Sequence, residues 1–231
     1  MSQNEQAKNE EKVNFSDKLS QFLVKFRFLF LGIILALLVA VALVLVISST
    51  STKKVEKGLT EIDSITYELS EARSVLKDAE LTAKESALFD RAKTVADANT
   101  KGVVAVRAKM LMAEIAFAKA DYSNACQYWL DAVNADSKAY TAGICYYQCG
   151  VCSEEMGDLD SAVKYLQTAA DTENFVAAPR ALFNIGRIEE TRGKMDKAAE
   201  AYKKLAEAFP NDGWTSLAKT RLLNLEINGK L

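Results

Sequence analysis

Ala125, Ala162 and Ala198 lie 37 and 36 residues apart, and the same pattern surrounds each of them. Four positions on stands a bulky residue (Trp129, Leu166, Tyr202), and seven on stands Ala132, Ala169 or Leu205. Five positions before each alanine is Ala120, Gly157 or Gly193, and twelve before is Ala113, Gly150 or Gly186. A period of this length accommodates two helices and a turn. Small residues let two antiparallel helices approach closely, and the bulky one fills the gap between them. Gly157-Asp158-Leu159-Asp160 and Gly193-Lys194-Met195-Asp196 read as the turns, and Pro210 closes the last copy. A helix pair cannot bury its apolar side alone, so such units stack on one another, and the pattern predicts an all-α solenoid.

The register resembles that of the tetratricopeptide repeat, over roughly Val106 to Pro210. Two departures affect the helix packing. The aromatic usual at position 4 is Lys109, Tyr146 and Leu182, and the tyrosine usual at position 11 is Ala116, Ser153 and Glu189. The resemblance implies that the first helices of the pairs line a common concave face through positions 2, 5, 9 and 12. Those positions are Arg107, Met110, Glu114 and Phe117, then Ile144, Tyr147, Val151 and Glu154, then Arg180, Phe183, Arg187 and Glu190. Aromatic and arginine residues on one face suit a protein or peptide partner. A plain solvated face of mixed charge is the alternative. Upstream, Ser86 to Phe89 with Ala92 resembles the second helix of a degenerate repeat, and downstream Trp214 to Leu225 reads as a capping helix.

Ahead of the repeats, Phe28 to Ile47 is a 20-residue run without a charged or polar side chain. At about 1.5 Å per residue it reaches roughly 30 Å, the hydrocarbon thickness of a bilayer. A signal peptide has a shorter apolar region and a small-residue cleavage site, for which only Ser49-Thr50-Ser51 is a weak candidate. A single uncleaved membrane anchor is therefore expected. Lys18, Lys25 and Arg27 precede the run and Lys53, Lys54 and Lys57 follow it, a tie under the positive-inside rule. Lys8 and Lys12 add to the first side, and long C-terminal domains translocate largely regardless of charge. The expectation is an N-terminus in the cytoplasm and a C-terminal domain outside. After a short polar exit at 48–52, Val55, Leu59, Ile62, Ile65, Leu69, Ala72, Leu76 and Ala79 form one helical stripe. Three heptads without a strong charge code make a marginal coiled coil, so the stripe is expected to pack on the domain that follows. The expected organisation is a polar tail over 1–27 with an amphipathic stretch from Phe15 to Phe26, a transmembrane helix over 28–47, an amphipathic linker helix over 53–82, and the repeat domain with its cap over 83–231.

Histidine is absent from the 231 residues, and glycine and proline number ten and two. The absence removes Ser-His-Asp and Cys-His catalysis and histidine metal sites, and no Gly-rich phosphate loop is encoded. A net charge of −2 speaks against nucleic acid as a partner. The expectation is a scaffold, not an enzyme, without cofactor or metal. Cys145, Cys149 and Cys152 have the spacing of a radical-SAM cluster motif, but that cluster needs a loop at the mouth of an α/β barrel, and no barrel is encoded. They fall instead on a predicted repeat helix, where small apolar side chains pack between helices. A disulfide from Cys126 to Cys145 or Cys149, and a zinc site recruiting Cys126, are the alternatives.

The layout as a whole resembles the YfgM-type ancillary subunits of the SecYEG translocon. The repeat domain, with Ala206-Glu207-Ala208-Phe209-Pro210-Asn211-Asp212, also resembles the repeat modules of CpoB-type cell-division coordinators and BamD-type outer-membrane lipoproteins. The first resemblance implies a bacterial inner-membrane protein that binds the Sec translocon and periplasmic chaperones. The second implies an envelope, cell-division or outer-membrane assembly adaptor.

Overall fold

The computed structural model describes residues 17–231, the side chain of Ile47 excepted. Most of the tail over 1–27, with Phe15, Lys8 and Lys12, lies outside them. The chain divides into two units, Met1–Glu56 and Lys57–Leu231. Its helices are α1 (Arg27–Val75), α2 (Asp78–Ala98), α3 (Gly102–Ala118), α4 (Tyr122–Ala135), α5 (Ala142–Glu155), α6 (Leu159–Ala170), α7 (Ala178–Thr191), α8 (Met195–Ala208) and α9 (Gly213–Ile227). Residues 17–25 are helical as well, and no strand occurs among the described residues.

Backbone conformation at three turns sets the repeat. Ala120, Gly157 and Gly193 adopt left-handed φ values of 57°, 77° and 72°. At each turn the next amide donates back to position 11 of the helix just ended: Asp121 to Ala116 O, Asp158 to Ser153 O and Lys194 to Glu189 O, at 3.0, 2.9 and 2.9 Å. These bonds satisfy carbonyls that the helix end would leave unpaired. The chain then re-enters a helix through an aspartate cap in two of the three cases. Asp121 accepts from Asn124 N, and Asp158 from Ser161 N at 3.0 Å. The third turn has Lys194 in that place and no side-chain cap.

Within each pair the small residue of the first helix faces the bulky one of the second. A Cβ added at Gly150 would lie 2.7 Å from Leu166 Cγ, and one at Gly186 would lie 2.3 Å from the Tyr202 ring. Ala113 and Trp129 are the corresponding pair in the first copy, both buried in one cluster with Ala125 and Ala132. From α2 onward each helix packs on the next, and α9 reaches back to α7 as well as α8. The core is thus a continuous seam of helix pairs, as a solenoid requires.

The apolar stripe before the repeats joins this seam. Ile62, Ile65, Leu69 of α1 share a buried cluster with Leu88 and Ala92 of α2 and with Val104, Ala108 and Leu111 of α3. Arg73 Nε donates to the buried Glu85 at 2.9 Å, while Lys84 and Arg91 both reach Glu68 at 2.6 Å. The linker helix expected over 53–82 is divided, and this boundary is corrected: α1 ends at Val75, and α2 begins at Asp78 inside that range. Lys77 is extended and Asp78 has φ of 50°, which turns the chain so that α2 lies back along α1. Ala79, read as the last member of the stripe, is exposed for the same reason. Neither glycine nor proline marks the break, and the repeat-side unit starts at Lys57, not at residue 83.

In the first unit, α1 contains a stretch long and apolar enough to cross a membrane by length and composition. Its mean hydropathy is 3.4, and none of that stretch is buried within the protein. The polar residues at 48–52 continue the helix instead of leaving it. Thr50 Oγ1 donates to Val46 O and Thr52 Oγ1 to Ser48 O, so these hydroxyls are satisfied without breaking the backbone ladder.

Two outcomes follow from the turns and from the α1–α2 contact. Ala120 has a Cβ where only glycine is free of strain, so Ala120→Gly should raise stability by about 1 kcal/mol. Gly157→Ala and Gly193→Ala should lower it by a similar amount through the backbone, since an added Cβ at either meets nothing within 4 Å. Thermal melts read the opposite signs as shifts of roughly 2–4 °C. Hydrogen bonds from Lys84 and Arg91 lower the Glu68 pKa from 4.5 to about 2. The ionised carboxylate therefore stabilises the fold above pH 4.5, and that contribution is lost as the pH falls toward 2. Glu68→Gln should lower the Tm at neutral pH, and its gap to the unmodified chain should close across that window.

Candidate partner-binding face

Among the first helices of successive pairs, α1 beyond Lys57, α3, α5, α7 and α9, ion pairs join α1 to α3, α5 to α7 and α7 to α9. Arg107 of α3 donates to Asp63 of α1 at 2.6 Å. Arg187 of α7 holds Glu154 of α5 in a two-point bond at 2.6 and 2.7 Å. Arg221 of α9 donates from Nε to Glu190 of α7 at 2.9 Å and makes a second contact to the same carboxylate. Such forked pairs fix orientation as well as attraction. The hydrogen bond to Glu154 raises the Arg187 pKa. Burial opposes ionisation of Glu190, but hydrogen bonds from Arg221 and from the Tyr202 hydroxyl outweigh it and hold its pKa below the ordinary value.

The aromatic residues expected on this face are divided between packing and display. Tyr147 is a correction, for it is only 5% exposed. It packs against the α6–α8 cluster, its hydroxyl accepts from Asn184 Nδ2 at 2.9 Å, and its ring lies 6.2 Å from that of Phe175. Phe117 also turns away from the face, onto α4, with ring centroids 5.2 Å from Tyr122 and 5.8 Å from Trp129. Phe183 is half-buried between Tyr202 and Trp214 at 5.6 and 5.1 Å. Met110, Ile144 and Val151 are half-buried against the core clusters.

Two of the expected residues remain open. Glu114 is exposed, and no ion pair engages it among the described residues. The protein around its carboxyl still desolvates it enough to raise its pKa, with the Arg73 charge working the other way. Arg180 is exposed, and its guanidinium lies 5.5 Å from the Tyr147 ring centroid and 5.7 Å from that of Trp214, both within cation–π range. Trp214 and Arg221 belong to this face and were not among the residues expected there. A helix read only as a cap contributes no binding positions. The contact of α9 with α7 instead makes it the next first helix of the row.

The four cysteines lie in one buried cluster between α4 and α5, where successive pairs meet. Cys126 of α4 and Cys145, Cys149 and Cys152 of α5 are buried free thiols, and Cys149 Sγ donates to Cys126 O at 3.4 Å. Among the described residues, no three histidine, cysteine or acidic side chains are grouped to hold a metal. Burial pushes the Cys145 and Cys152 thiols up to about 12. Cys149 is raised too, first by its hydrogen bond with Cys126 and then by burial. A separate cleft of about 440 Å³ lies between α6 and α8, lined by Asp160, Lys164, Lys197 and the Glu189–Arg192 pair.

Residues 154–213 match the tetratricopeptide repeat family. A TPR repeat-containing protein of Treponema pallidum is 34% identical over 150 residues, 64% of this chain and 63% of that protein. Response regulator aspartate phosphatase J of Bacillus subtilis is 37% identical over 93 residues, 38% of this chain and 24% of that protein. The chain thus spans less than two thirds of the length of either relative. The crystal structure of MamA protein shares the fold at 18% identity and a TM-score of 0.50, covering 73% of this chain and 87% of that one.

The thiols give a chemical test of this packing. At pH 8, iodoacetamide should modify Cys145 and Cys152 on the order of 10³-fold more slowly in the native chain than in denaturant. Mass spectrometry of the labelled peptides reads the difference, and rapid native labelling would contradict the buried arrangement.

Proposed function

We propose that this chain is a membrane-anchored, non-enzymatic scaffold that holds partner proteins on the face of its first helices. The observation that carries this reading is the division of labour along α3, α5, α7 and α9. Ion pairs fix α5 to α7 and α7 to α9, while Arg180 and Glu114 stay open and Trp214 is half-exposed. Preformed faces that mix arginine and aromatic side chains favour protein partners, because little ordering is needed on binding.

Exposed apolar side chains along residues 28–46 support anchorage in a lipid bilayer, where they would find the environment that the protein itself does not supply. The basic residues flanking the N-terminal end favour a cytoplasmic N-terminus and a repeat domain in the periplasm of a bacterium. Within that setting the layout favours an ancillary role at the Sec translocon, passing exported chains to periplasmic chaperones. No nucleic-acid partner and no cofactor form part of the proposal.

The test uses a photo-crosslinking amino acid placed at Glu114 or Met110 in the full-length chain, expressed in its native membranes. Adducts with Sec subunits and periplasmic chaperones are expected. Recovery of division or outer-membrane assembly factors without them would replace the translocon role by an envelope-assembly one. A C-terminal reporter active only in the cytoplasm would overturn the orientation.

A further inference from the structure

Arg180 differs from every other arginine on the first-helix face. Arg107, Arg187 and Arg221 each have a carboxylate at hydrogen-bond distance. Arg180 is exposed and bonds no acceptor among the described residues; its neighbours are the rings of Tyr147 and Trp214. Those rings attract the cation without using its N–H donors. Asn184 Nδ2 donates to the Tyr147 hydroxyl at 2.9 Å, and its Oδ1 takes no bond from Arg180 among the described residues. The result is a guanidinium held in place by two aromatic rings with its hydrogen-bonding capacity unspent. Beside it stand the half-buried Phe183 and Trp214, which offer apolar contact.

We infer that Arg180 receives the side-chain carboxylate of an aspartate or glutamate in an extended segment of a partner protein, with an adjacent apolar residue resting against Trp214. Charge complementarity selects this occupant. Glu154 and Glu190, the acids that α5 and α7 contribute to the face, are taken by Arg187 and Arg221, and no ion pair engages Arg180 among the described residues. A planar guanidinium engages a carboxylate by two parallel bonds, which an ammonium cannot reproduce. The inference rests on the proposed use of the first-helix face for partners and adds the chemistry of what binds there.

The probe is a library of random 12-residue peptides displayed on phage and joined to the coat protein through their C-termini, so that no free terminal carboxylate is present. It is panned on the full-length chain in detergent micelles, and recovered peptides are located by photo-crosslinking. Peptides enriched in Asp or Glu and crosslinked to α5, α7 or α9 are expected. Arg180→Glu should weaken them by at least about tenfold and shift the selection toward basic peptides, while Arg180→Lys should retain part of the affinity. Circular dichroism of both variants confirms that this exposed position leaves the fold intact. Peptides that crosslink to the same helices without acidic preference, or that bind Arg180→Glu equally well, would overturn the assignment of Arg180 and leave the face standing. Peptides that crosslink elsewhere, or no selection at all, would overturn both.

Discussion

Close approach of the two helices in each pair is the constraint on which the remainder of the domain depends. Gly150 lies against Leu166 and Gly186 against the Tyr202 ring, with no room for a further carbon at either place. Interiors packed to that density transmit geometry from one layer to the next. The position of Tyr202 then fixes where its hydroxyl meets Glu190 at 2.6 Å, and Glu190 in turn holds Arg221 of the last helix. A contact between a missing methyl group and an aromatic ring thereby sets the spacing of the charged face several ångströms away.

That face is stabilised in a way that distributes its energy along the row. Exposed ion pairs contribute little each, about 0–1 kcal/mol, because water and salt screen them and long side chains lose freedom. Their value here lies in register. Arg107–Asp63, Arg187–Glu154 and Arg221–Glu190 each join residues more than thirty positions apart in the chain. Each pair therefore connects neighbouring repeats and holds their register at the α1–α3, α5–α7 and α7–α9 steps.

The helix pairs were legible in the sequence because their determinants are local and periodic. Small and bulky residues recur at fixed offsets, and Gly157 and Gly193 announce the turns. Ala120 occupies the same left-handed conformation without the residue type that signals it, and only its register reveals it. The break at Lys77 and Asp78 was not legible, since it arises from the return of Glu85 and Leu88 to α1, not from any helix-breaking residue. Side-chain direction on the candidate face was only half legible. Periodicity places Phe117 and Tyr147 on the first-helix side, but larger apolar surfaces nearby draw both rings into the core. Trp214 and Arg221 escaped notice because a helix read as a terminal cap was not counted as a member of the row.

Membership of α9 in that row ties the open end of the solenoid to the chemistry of its middle. A stack of repeats holds together through nearest neighbours, so its last helix is the one most readily released. When α9 detaches, Arg180 loses one of its two aromatic neighbours and Glu190 loses its counter-ion, while α3 and α4 keep all their partners. Helix α7 then carries a less supported cation in its first turn and an acid without its arginine in its last. Fraying of the terminus thus acts on the charge of the surface, and the docked last helix is what keeps Glu190 neutralised.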